Sequence, residues 1–251
     1  KDYAMYQLSL IHNLENNTTS QLALLDKIIR EYPSSRYADD AYYDKGNALF
    51  NMNKKDLAIA SYEKLLQDYP NSDMKNKTLL KLGLIAYSVG RNEEALNYYK
   101  GVFRTDPQSE EAKDALAAIK EIYIDDSGRT DDYFAFLRSI DMNVDDAQKE
   151  EVAFKAAESQ FENANYERAI TAFDQYLSQY PNGRNSLVGR YYRGESHSVL
   201  KQYSLALRDY EYVVGKGQSK HYLKALEKAA IIAYNHEQDF GKSYNFYVQL
   251  E

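Results

Sequence analysis

Small and aromatic side chains recur along this chain at one fixed phase. Gly46, Gly83, Ala157 and Gly194 stand 37 residues, or twice 37, from one another. Twelve residues after each comes an alanine (Ala58, Ala95, Ala169, Ala206), and four further on a ring: Tyr62, Tyr99, Phe173 and Tyr210. Small side chains let two helices approach closely, and an aromatic fills the gap beside them. The pattern reads as one helical hairpin repeated. Polar segments with proline close each unit: Glu31-Tyr32-Pro33, Asp68-Tyr69-Pro70, Thr105-Asp106-Pro107 and Gln179-Tyr180-Pro181. Proline lacks the N–H donor and clashes with the preceding turn, so a helix stops at the same phase of each period. Self-similarity at about 20–50 residues marks a solenoid.

The hairpins predicted are 1–16 with 19–31, 37–52 with 54–68, 74–89 with 92–104, 146–162 with 165–179, 185–200 with 202–214, and 219–236 with 239–250. Asn53 followed by Asp56 looks like an N-cap with an acidic third position. In the fourth unit Ser109-Glu110-Glu111 opens a helix to about Asp125, acidic at its positive end. The polar run Asp125–Asp132 is the longest interruption, and only Phe136 keeps the pattern there. A bend or irregular repeat is expected over 125–145. The segment Val214–Gln218 uses glycine, not proline, as its breaker. In the last hairpin Ser243 and Tyr247 are in phase. The whole is expected to be all-α: one right-handed α-solenoid over 1–251, of about seven hairpins with a 37-residue period.

At these residues the chain resembles the tetratricopeptide repeat family. That family has a helix–turn–helix repeat of about 34 residues, with Gly or Ala in the first helix, Ala and an aromatic in the second, and Pro at the end. The departure is three extra residues between the proline and the next small residue. Tyr-Pro-Ser-Ser (32–35), Tyr-Pro-Asn-Ser (69–72) and Tyr-Pro-Asn-Gly (180–183) fill that space. This longer form looks like the subclass found in Gram-negative envelope proteins, such as outer-membrane-assembly lipoproteins and Tol–Pal-associated coordinators. The resemblance implies a protein-interaction scaffold, in the periplasm or at the outer membrane.

Composition narrows the chemistry. The 251 residues carry a net charge of −7, with no cysteine and 25 tyrosines. An acidic balance argues against nucleic acid, which needs clustered Lys and Arg. Without cysteine there is no disulfide, thiolate catalysis or Cys-based zinc site. No apolar run approaches the ~20 residues of a membrane span. The chain starts at Lys1 with no signal segment, and reads as a piece of a longer protein. His12, His197, His221 and His236 show no ligand spacing, and there is no phosphate loop. No catalytic residue, metal or cofactor is expected.

Function then falls to a surface. Stacked hairpins line a concave groove with their first helices. In the resembling family, groove residues lie three before the small residue and one, four and five after it. Carried here, the partner-binding set is Tyr43, Asn47, Phe50, Leu80, Leu84, Tyr87, Phe154, Glu158, Phe161, Tyr191 and Glu195; Lys228 and Ile232 stand at groove phases of the last hairpin, outside that set. The groove is aromatic, and acidic towards its middle and C-terminal half through Glu121, Asp125, Glu158, Glu162 and Glu195. It suits an apolar protein or peptide segment carrying Lys or Arg. The alternative is that several of these rings pack beneath the groove. A Lys/Asn clamp for a terminal carboxylate finds only Asn47 and Lys77. Two other readings stand beside the scaffold: a self-associating array, and a regulatory appendage of an enzyme whose catalytic domain lies elsewhere.

Overall fold

The computed structural model describes residues 1–250 except Ser127 and Gln218. Those two, within the interruption and the glycine breaker, and Glu251 lie outside the described residues. The described residues form fourteen α-helices and no strand. They fall into two compact units, Lys1–Ile122 and Tyr123–Glu251.

The first unit holds α1 (Asp2–Leu14), α2 (Thr18–Glu31), α3 (Ala38–Asn51), α4 (Lys55–Asp68), α5 (Lys75–Ser88), α6 (Asn92–Thr105) and α7 (Glu110–Lys120). The second holds α8 (Thr130–Ser139), α9 (Asp146–Glu162), α10 (Tyr166–Gln179), α11 (Ser186–Val199), α12 (Tyr203–Gly215), α13 (Tyr222–Asn235) and α14 (Phe240–Val248). Within each unit, hairpin partners pack on one another and each second helix packs on the next first helix. Hairpins thus follow each other in space as they do in sequence.

The recurring small residue and ring meet directly. A Cβ added at Gly46 would collide with the ring of Tyr62, and one at Gly83 would lie 2.5 Å from Tyr99 Cε1. At Gly194 the distance to Tyr210 Cε1 relaxes to 3.0 Å. Ala157 fills the same place in the cluster of Phe154, Ala169 and Phe173. The hydroxyls also find partners. Tyr62 donates to Asn47 Oδ1 at 2.8 Å and Tyr210 to Glu195 Oε1 at 2.5 Å. Burial pushes the Tyr99 hydroxyl up to about 12, with Glu121 adding to the rise.

Every described bend within a hairpin carries a residue with positive φ. These are Asn16, Asn53, Gly90, Ala164, Lys201 and Gln238, all in the 37-residue phase. The position in phase between Gly90 and Ala164 is Ser127. Following the positive-φ residue, the next N–H reaches back five residues, as from Lys54 to Leu49 O and from Arg91 to Ala86 O. This is a left-handed helix cap. Asn53 is therefore a C-terminal cap residue; Lys54 stands at the N-cap, without a side-chain cap.

The three residues that lengthen the period have a structural use. Ser35 Oγ donates to Asp2 and Ser72 Oγ to Asp39, each at 2.6 Å. Each bond ties the segment after a proline to the start of the first helix 33 residues earlier. In the next repeat the polarity reverses. Ser109 Oγ already donates to Asp106 O at 2.9 Å and caps α7 by accepting from Ala112 N. Its partner there is a donor, Asn76 Nδ2, at 3.2 Å. Where Gly183 replaces the serine, Glu150 Oε1 instead accepts from Tyr176 Oη and from Asn185 N.

Two places depart from the sequence pattern. The fourth first helix does not run on to Asp125: α7 stops at Lys120 and a π-helical turn covers Glu121–Asp126. Ile122, Tyr123 and Ile124 are all buried there. A wider turn spreads consecutive side chains over a narrower arc, so three in a row face inward. In the last hairpin, α13 is displaced by one residue. Ala230 is fully buried while Ile231, at the expected small-residue phase, is 38% exposed. The start of α13 follows that of α12 by one residue fewer than α11 follows α10. The expected groove positions Lys228 and Ile232 shift with it, and Ile232 lies in the core.

Candidate functional site

The first helices α3, α5 and α7 line one cleft of about 450 Å3. Its floor is Tyr43, Leu80, Leu84, Tyr99 and Ala118; its charged lining is Lys77 and Lys81 on α5, with Glu111 and Asp114 on α7. Helical spacing explains the alignment. Positions 77, 80, 81 and 84 form one stripe, as do 111, 114 and 118, because residues three and four apart share a face. Three of the expected groove residues, Tyr43, Leu80 and Leu84, are thus brought together. Leu84 is 45% exposed, a large apolar side chain open to a ligand. The Tyr43 ring is half-buried, 6.0 Å from that of Tyr62. Burial raises its hydroxyl pKa, the Asn47 hydrogen bond opposes that rise, and the carboxylates Asp44 and Glu111 add to it.

Other expected residues have different company. Asn47 accepts from Tyr62, and half-buried Phe50 packs against the core around Tyr62 and Leu82. Tyr87 donates to Glu121 at 2.9 Å. In the second unit Phe161 stacks on Tyr192 at 4.7 Å. Phe154 and Tyr191 are corrections: at 4% and 6% exposed they belong to the core, not to a surface. Phe154 packs edge-on against Tyr176, and Tyr191 lies flat on His221 at 4.3 Å. Nor are the acidic positions of this unit open charges. Glu158 is paired with Lys155 at 2.5 Å, and Glu195 takes the Tyr210 hydroxyl and faces Lys228 at 3.5 Å.

The reading from sequence missed Lys81, Glu111 and Asp114. The signal was present in their three- and four-residue spacing. What was missing was the knowledge that α7 carries its charges onto the same cleft as α5. Among the described residues no cluster of His, Asp or Glu could hold a metal ion, and no helix is long and apolar enough to cross a membrane.

Stacked antiparallel hairpins with an open, mixed-polarity cleft on their first helices define a helical-repeat protein. Family models agree: two models, each described as tetratricopeptide repeat, match this chain, one at residues 40–72 and 151–183 and the other at 77–109. These three segments are tetratricopeptide repeats, and proteins built of such repeats generally mediate protein–protein interactions. The chain is similar to solved structures over most of its length. One is a tetratricopeptide repeat protein from Parabacteroides merdae, 16% identical, covering 99% of this chain and 97% of that one, with a TM-score of 0.48. Another is the TPR2AB-domain:pHSP90 complex of yeast Sti1, 12% identical over 98% and 87%, at 0.48. A third is YrrB, titled a TPR protein with an unusual peptide-binding site, 16% identical over 85% and 94%, at 0.39. No curated protein matches the chain.

Proposed function

We propose that this chain is a non-enzymatic scaffold that binds a protein or peptide segment in the α3/α5/α7 cleft. The observation that carries the reading is the cleft itself: exposed Leu84 beside Leu80 and Tyr43, walled by charged side chains. An apolar anchor with a polar rim is what a binding patch requires. Capture of partners from lysate tests it. Leu84→Asp should abolish recovery, while Glu158→Lys, in the other unit, should leave it unchanged. Full recovery with Leu84→Asp would move the site out of the cleft.

Its setting, on this proposal, is a bacterial cell-envelope complex in the periplasm or at the outer membrane. Support comes from the longer Tyr-Pro-Asn/Ser-Ser segments alone. Fractionation of cells making the full-length protein checks it; recovery in the cytosolic fraction alone would overturn it.

A further inference from the structure

The cleft brings charges of both signs to one apolar floor. Some charged neighbours of the unit pair: Lys45 with Asp26, Lys64 with Asp68, Arg91 with Glu94, and Lys113 with Glu110. The last pair lies on α7 itself, outside the cleft lining. Among the described residues, none of Lys77, Lys81, Glu111 and Asp114 takes part in an ion pair or a side-chain hydrogen bond. Lys77 feels the field of Asp40 without bonding to it. Two cations on one helix and two anions on the next thus border one apolar floor, and neither set is neutralised by the other.

A ligand of one sign would satisfy one wall and meet like charge at the other, which is unfavourable. A lone carboxylate would leave Glu111 and Asp114 unanswered. We infer that the cleft recognises an internal, extended protein segment of mixed charge. Its acidic side chain lies against Lys77 and Lys81, its apolar side chain over Leu80 and Leu84, and its basic side chain against Glu111 and Asp114. This rests on the cleft being the binding site. It changes the expected partner from a basic segment to one carrying both signs in a fixed order.

Fluorescence anisotropy with capped, labelled peptides tests it on the whole chain. The probes are a glutamate pair, a leucine and a lysine pair in both orders, with all-glutamate, all-lysine and all-glutamine counterparts around the same leucine. One order of the mixed peptide should bind about tenfold tighter than any counterpart, and weaken with salt. Lys81→Glu or Asp114→Lys should each weaken it about fivefold, the scale of an exposed ion pair. The double variant, with one charge of each sign on each wall, should lose the preference for one order. Circular dichroism of each variant confirms that the helices persist. Equal binding of all peptides, tighter binding of a single-sign peptide, or no binding at all overturns the mixed-charge rule. Loss of lysate capture by Leu84→Asp would still leave the cleft as the site in those cases. Its indifference to Leu84→Asp would remove the site as well.

Discussion

Ala164 and Lys201 occupy backbone that favours glycine, at φ 59° and 60°. A side chain there costs roughly 1–2 kcal/mol, because Cβ crowds the neighbouring carbonyl. Ala164→Gly should therefore raise stability by about 0.5–1 kcal/mol despite the greater freedom of the unfolded chain, read as a higher urea midpoint. The Gly–Tyr contacts grade a second expectation. Gly46→Ala should cost roughly 1–3 kcal/mol, more than Gly194→Ala, since only the former drives Cβ into the ring. Equal losses at the two sites would mean that the rings yield. The contrast in legibility between these two features is physical. Small residue and ring leave a chemical signature that repeats, so their pairing could be read from spacing. The left-handed bends are filled by Asn, Gly, Ala, Lys and Gln, which share a backbone angle and no side-chain chemistry.

At the level of helices and their connections, the hydrogen bond from each post-proline serine is the main addition to the sequence reading. Asp39→Ala should cost about 1 kcal/mol, while Asp39→Asn should cost less, because the amide oxygen still accepts from Ser72. Thermal melts of the pair separate the two. At the start of α13, His221 is buried against Tyr191 and Tyr192, and among the described residues neither ring nitrogen has a hydrogen-bond partner. Burial lowers its pKa below 6.5, with Lys220 and Lys224 in the same direction and Glu195 opposing. The folded state thus binds this proton less readily than the unfolded chain does. Its contribution is fully present above about pH 6.5 and is lost as pH falls through the lowered value. His221→Phe should flatten stability against pH in that window; an unchanged slope would assign the effect to other groups. The one-residue displacement of α13 was illegible because glycine and proline both announce a break, yet they span different lengths of chain.

Across the molecule, the core is a series of local clusters, each shared by neighbouring hairpins. Such arrays lose stability locally. Phe173→Ala should cost roughly 3–5 kcal/mol and speed amide exchange in α9 to α11. Exchange in α3 and α4 should stay as it was. The class of fold was legible because a period survives drift in single repeats, as the fourth unit shows by keeping Phe136 buried. The site was legible only in part. Periodicity identifies positions on first helices, but whether a ring at such a position is covered depends on its neighbours, and Phe154 and Tyr191 are covered.

The reversed bond at Asn76 limits how these hairpins could be shuffled. A 37-residue cassette copied from the second hairpin into the place of the third would bring an aspartate opposite Ser109. That hydroxyl donates its hydrogen to the backbone carbonyl of Asp106. The hydroxyl would have to leave that carbonyl to meet the carboxylate, and the amide donor of Asn76 would be gone. Recombination of the gene at this joint should therefore yield a weaker protein, by the one hydrogen bond that is lost.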